Sequence, residues 1–444
     1  MLTSCSSDDE VEVTERCYIS SASLGTLKRI MHISSSADKD SVIRSTYTGN
    51  SYPLTVNQRT LTIENYDSLL YGTDLSALLV GINYVGATVA YRPASDETSD
   101  WMSYKATDSL NLTEPLHLFT LSEDGNSYRI YTLKLNVHKV DGDSLRWSRL
   151  ETTDAFENMT AMHAAIVGGQ LTVTGLTESG VQQAVRSSLG SQGEWTIRNT
   201  NLLATADVEA IRQHDDVLYT HTAEGAIYSS PNGADWTEVA PAVEGLSLAA
   251  VTDNFYYAII NGRLCSSEDA LTWSDERLDD DPLHLPATML RSYVTTQSNG
   301  NRRLTLMGYR AEGTDTTAVV WSKLWASDED EQDAVWMYIN PTDDNIYQMP
   351  RLQHLNLMEY DGRGLALGGA SQVGHGSHTS MDGMYFSNDH GITWKPDYEL
   401  LLPKAVQGTE SPMAATVDED NYIWLILDKQ VWRGRLNRLG FARQ

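Results

Sequence analysis

Three cysteines, Cys5, Cys17 and Cys265, are too few for a disulfide framework, so packed cores must hold the fold. Basic residues are also short: 32 Lys and Arg face 60 Asp and Glu, for a net charge of −28. Residues 1–140 carry −6 of this and the remainder −22. Such a field repels phosphate backbones and anionic lipid, which excludes nucleic acid as a partner. No run of about 18 apolar residues occurs, so no transmembrane helix is expected. Phenylalanine is scarce at 5, whereas 11 Trp and 22 Tyr favour strands. The apolar fraction of 41% suffices for packed cores, and 444 residues suggest two domains.

What is present begins with Ser387, Asp389, Gly391, Thr393 and Trp394, spaced S-x-D-x-G-x-T-W. Asp folds onto nearby backbone N–H groups, Gly takes a positive φ, and Trp opens the next strand, so the spacing predicts a hairpin turn. Degraded copies keep the frame at Ser266, Glu268, Ala270, Thr272 and Trp273, and at Ser229, Pro231, Gly233, Asp235 and Trp236. In the second copy Asn232 supplies a turn-forming amide.

Six tryptophans mark equivalent points: Trp147, Trp195, Trp236, Trp273, Trp336 and Trp394. Their spacing brackets the forty-to-fifty-residue blade of a β-propeller, with two blades enlarged by loops. Three strands precede most markers, as in Val208 to Gln213, Val217 to Thr222 and Ala226 to Ser229. The last unit, Met413 to Arg435, has three strands and no fourth, while the strand at 144–150 has no partners before it. Pairing the two leaves no open edge and predicts six blades over residues 144–444. Seven is the alternative, if Leu285 to Asn340 holds two.

Ahead of the propeller, residues 16–140 read as short strands. After the Asp124-Gly125 turn, Tyr131, Leu133, Leu135 and Val137 alternate with polar neighbours. That ending resembles the last strand of immunoglobulin-like modules in bacterial surface proteins, which implies a β-sandwich serving as spacer or docking module. Residues 1–15 read as a tether. Leu2, Thr3, Ser4 and Cys5 resemble a bacterial lipobox, and the Ser-plus-acidic run that follows resembles a surface-export signal of Gram-negative bacteria. The resemblance implies lipidation at Cys5 and an outer-membrane lipoprotein exposed at the cell surface, with the lipid as its only membrane contact.

In propellers of this design the boxes lie on one face, and ligands are expected on the other. There the loops enlarge in the second half of the ring. Candidate ligand-binding residues are Arg212, Arg291 and Arg351, read as lying on innermost strands where they would clamp a carboxylate. Neighbouring acids would explain them equally well. Asp343 and Asp344 lie in the loops, and Tyr309, Tyr347 and Tyr398 are exposed aromatics that would stack on sugar rings. His375 and His378 have a metal-like spacing, yet no sequence-adjacent carboxylate completes the set. Asp279 to Asp281 lack the EF-hand pattern and read as a solvated turn. No metal, cofactor or catalytic residue is therefore assigned.

The boxes make residues 144–444 resemble Asp-box (BNR-repeat) propellers, the fold of sialidases and of many non-catalytic sugar- or protein-binding proteins. The whole layout resembles a family of uncharacterised bacterial surface lipoproteins. A sialidase would carry an F-R-I-P-like motif in the first blade. Here Met159 to Ala165 contain no arginine, and sialidase activity is not expected. The resemblance implies a lipoprotein that binds a glycan or a surface protein. A glycoside hydrolase or lyase with a dispersed site, and a structural envelope protein, are the alternatives.

Overall fold

The computed structural model describes residues 14–34, 40–310, 316–326, 329–339, 347–369 and 383–441. Strands dominate, helix is confined to short 3-10 turns, and no described helix is long and apolar enough to cross a membrane. The chain divides into two compact units, Met1–Asp143 with Phe441–Gln444, and Ser144–Gly440.

The first unit contains a six-stranded sheet ordered Leu54–Asn57, Thr62–Asn65, Tyr128–Leu133, Leu116–Leu121, Thr88–Pro93 and Met102–Ser103. A three-stranded sheet joins Tyr18–Leu24, Leu78–Val85 and Ser109–Leu110, and Thr26–Ser34 pairs with Asp40–Thr48 as a hairpin. Every second residue of Leu116–Leu121 is buried, the period a pleated strand imposes. Ile19, Val80 and Leu110 from one sheet share a core with Ile63, Leu118, Tyr131 and Leu133 from the other. The strand expected to run to Val137 stops at Leu133. Beyond it Asn65 clamps Asn136, accepting from its N–H at 2.7 Å and donating to its carbonyl at 2.8 Å.

The second unit is a β-propeller, and its described residues form six four-stranded antiparallel sheets. Their first strands are Ala161–Val167, Arg212–His214, Leu246–Val251, Thr288–Thr296, Asn356–Tyr360 and Met413–Val417. These pack on one another round an axis, and the sixth closes on the first. The strand Leu145–Thr152 lies beside Gln430–Leu436, with Leu145 opposite Leu436, and completes the sheet of Met413–Val417 and Ile423–Leu427. Gly434 lies against Trp147, where a Cβ would meet the indole at 2.5 Å, so only glycine fits. Among the described residues of 288–338, the strands Thr288–Thr296, Arg302–Tyr309, Val319–Trp325 and Trp336–Tyr338 form one sheet.

The turn after Gly383–Ser387 is built as its sequence implies. Asp389 accepts from Thr393 N at 2.8 Å, from Thr393 Oγ1 at 2.7 Å and from Ser387 Oγ at 2.9 Å. Gly391, at φ +98°, donates to Ser387 Oγ, and its carbonyl accepts from buried Trp394 Nε1. The degraded copies are one residue shorter, which moves their working residues by one from the expected frame. Ser267 and Asp269, not Ser266 and Glu268, make the third sheet's turn, with Asp269 accepting from Leu271 N and Thr272 N. In the second sheet Ser230 and Asn232 do so, not Ser229 and Pro231.

Candidate functional site

The first strands surround an axial cavity of about 340 Å³, and each contributes to its wall. The lining uses the later part of most first strands and the hairpin turn that follows: Asp215, Val251, Val294, Glu359 and Thr416. In a four-stranded meander the first and third turns share one end. The cavity therefore occupies the half of the axis on the side of the turn boxes. This is the face expected to be turned away from ligands. Of the loops expected to serve the opposite face, 311–315, 340–346 and 370–382 lie outside the described residues.

Two arginines and a histidine floor the cavity. Arg212 donates from Nε to Ala249 O at 2.8 Å, from Nη2 to Leu290 O at 2.7 Å and Leu248 O at 3.4 Å, and from Nη1 to Ile211 O at 3.2 Å. One guanidinium thus ties the first strands of three sheets. Arg291 donates to Leu355 O at 2.5 Å and Leu290 O at 2.7 Å, with Met289 Sδ at 3.2 Å. Burial, followed by repulsion from Arg291, pushes the Arg212 guanidinium down to about 9. His163 lines the same cavity, presents part of its surface to it and has no hydrogen-bond partner among the described residues. Burial, then Arg291 and Arg212, push it down to about 3, so its imidazole is neutral at physiological pH.

Glu209, in the 3-10 turn before Arg212, lies at the strand-start end of this plug. It meets His354 Nδ1 at 2.7 Å and Arg291 Nη2 at 3.9 Å. Burial pushes its carboxyl up, but the His354 hydrogen bond and the Arg291 charge outweigh this and hold it below the usual range. At the opposite, turn end, His214 Nε2 lies 3.1 Å from Asp253 and 3.9 Å from Asp215. These three bring ligand atoms within 4.8 Å of one another, but Arg302 already pairs with Asp253 and supplies the cation there. Glu359 lines the same end, and burial raises its carboxyl above the usual range.

The profile of the DUF6242 beta propeller domain matches residues 141–444. The chain belongs to the DUF6242 family. The N-terminal domain of the same family, described as a domain of unknown function, matches residues 22–135. No curated protein matches the chain. Among solved structures, the alpha-L-arabinanase of Penicillium chrysogenum complexed with arabinobiose is similar at 10% identity. The match covers 65% of this chain and 99% of that one, with a TM-score of 0.38. YCF48 from Cyanidioschyzon merolae is similar at 11% identity over 65% of this chain and 98% of that one, with a TM-score of 0.33. A DUF4623 family protein from Bacteroides eggerthii shares 10% identity over 94% of this chain and 98% of that one, with a TM-score of 0.28. At these scores the similarities carry no functional argument, and the DUF6242 match stands alone.

Within this family fold, Arg212 and Arg291 do converge on the axis, as their strand positions predict. Arg351 does not join them. It precedes the strand Asn356–Tyr360 and stacks over the Tyr309 ring at 4.9 Å, with its Nε buried and unpartnered. Tyr309 is not an exposed aromatic but a core residue, 2% exposed. It ends the strand Arg302–Tyr309, and its hydroxyl donates to Leu352 O at 2.6 Å. Tyr347 is exposed, but it sits at a box turn, its carbonyl accepting from Trp394 N and its ring under Lys395 Nζ at 4.4 Å. Asp279 accepts from Tyr338 N, Asp280 pairs with His284 at 2.7 Å and Asp281 caps a 3-10 turn, which accounts for that acidic run. Asp343, Asp344, His375, His378 and Cys5 lie outside the described residues, as does the side chain of Tyr398. Sequence reading missed His163 and Glu209. Neither lies in a motif, and only the inward period of a first strand could have found His163.

Proposed function

We propose that this chain is a lipid-anchored cell-surface protein of a Gram-negative outer membrane whose propeller binds a glycan without transforming it. The reading takes the six sheets as six blades of an Asp-box ring, the first unit as an immunoglobulin-like spacer and Cys5 as the lipidated residue. One observation carries the binding step: an axial cavity of about 340 Å³ whose guanidiniums are engaged by backbone carbonyls. That volume is in the range of small-ligand pockets, and groups so engaged are set to position a ligand rather than to react with it.

Hydrolysis is the second reading, because Glu359, with its raised carboxyl, and Asp215 both border the cavity, and glycosidic cleavage uses two carboxylates. A glycan array probed with the full-length protein, followed by product analysis on each bound glycan, separates the readings. Binding without turnover supports the proposal. Turnover abolished by Glu359→Gln replaces it with hydrolysis, and capture of one surface protein without glycan binding replaces it with a protein partner. For the anchor, Cys5→Ala is expected to release the protein from the membrane fraction, and unchanged fractionation would refute lipidation there.

A further inference from the structure

The two guanidiniums of the axial floor feel the carboxylates Asp207 and Glu209, yet keep donors that no group among the described residues takes up. Arg212 has no carboxylate partner among the described residues, and Arg291 reaches only Glu209, at 3.9 Å, which His354 also engages. Each guanidinium carries five N–H donors. Arg212 makes four hydrogen bonds, leaving one donor. Arg291 donates to two carbonyls and a thioether, leaving two. His163 adds a further donor and an acceptor, since a neutral imidazole offers one of each. Nearer the turn end, Gln213 donates to Ile166 O and Asp215 O, which leaves its Oε1 to accept, while Val251, Val294 and Met358 supply apolar wall.

We infer that the axial cavity is a site for a small carboxylate-bearing sugar, with its carboxylate on the free donors of Arg212, Arg291 and His163 and its hydroxyls toward Gln213 and Thr416. This rests on the glycan-binding reading and names the class of sugar. Charge-assisted hydrogen bonds from guanidinium to carboxylate are about twice as strong as neutral ones. Asp215 and Glu359 line the turn end of the same cavity and confine the carboxylate to the arginine end, while exposed charges farther off are screened beyond roughly 8 Å at physiological salt.

Isothermal titration calorimetry of the full-length protein with glucuronate, glucose and inorganic phosphate tests the inference. Glucuronate is expected to bind at least tenfold more tightly than either of the others. His163→Phe removes a donor and fills the floor. Thr416→Phe fills the wall without touching a guanidinium. Neither side chain holds a strand, and each substitution should weaken glucuronate at least tenfold while circular dichroism stays unchanged. Glucose binding as tightly as glucuronate would overturn the carboxylate assignment and leave the glycan reading standing. Phosphate binding as tightly would reduce the site to an adventitious ion only, and glucuronate binding unaffected by both variants would move it elsewhere. If neither sugar binds and the glycan array is also blank, the inference and the reading on which it rests both fall.

Discussion

Lowering the pH from 8 to 5 is expected to destabilise the folded chain by about 2 kcal/mol through His163 alone. An unfolded histidine titrates near its ordinary value of about 6.5, whereas burial and the two guanidiniums push His163 down to about 3. Between those values the unfolded chain takes up a proton that the native chain refuses. Stability is therefore intact above about 6.5 and falls as the pH drops below it, by up to about 1.4 kcal/mol per unit. His221, pushed down to about 4 first by burial, contributes a similar amount, about 2 kcal/mol over the same interval. Urea denaturation followed by tryptophan fluorescence at both pH values, on wild type and His163→Gln, isolates the first contribution because carboxylate effects are common to both proteins. The variant should show a pH dependence smaller by about 2 kcal/mol. Equal dependence in the two proteins, or an imidazole resonance of His163 titrating near 6.5, would refute its burial within reach of the two arginine charges.

Three further outcomes are expected. Gly434→Ala should lower the urea midpoint by the equivalent of about 1–3 kcal/mol, the usual cost of overpacking, because the new Cβ enters the Trp147 indole; an unchanged midpoint would contradict that contact. Asp269→Ala removes an acceptor shared by Ser267, Leu271 and Thr272 and should lower the urea midpoint, while Glu268→Ala should be close to neutral; the reverse order would restore the longer frame. Cys265, 3% exposed, has its thiol pushed up to about 11 by burial and then by Asp275, so a thiol reagent at pH 8 should modify it in urea but not in the native protein, and rapid native labelling would show that the strand opens.

Turns and strand order were legible because they depend on local chemistry. Trp394, Gly391 and Asp389 each act through the backbone groups of their own hairpin, and the count of such units implies a ring. The box register in the second and third sheets was not legible, since Ser229 and Ser230, or Glu268 and Asp269, suit a turn equally well. Only the three-dimensional path of a turn one residue shorter selects between them. Convergence of Arg212 and Arg291 followed from their place on first strands, but what their donors meet did not. Their partners, Ala249, Leu290 and Leu355, are carbonyls, which every residue offers and no sequence marks. Tyr309 was misjudged for the same reason: its hydroxyl is satisfied by the carbonyl of Leu352, a partner 43 residues away.

The strand Leu145–Thr152 carries a consequence for how the molecule is made. Its partners lie in the last hairpin, and Ser144 bonds Asn437 across 293 residues. Contacts of such separation demand that nearly the whole ring be ordered before they form. During synthesis this strand must therefore wait, unpaired, until Gln430–Leu436 has left the ribosome. The ring should accordingly close late and in one step. A substitution at the seam, such as Gly434→Ala, would then slow the final acquisition of structure more than the early ordering of the first five sheets.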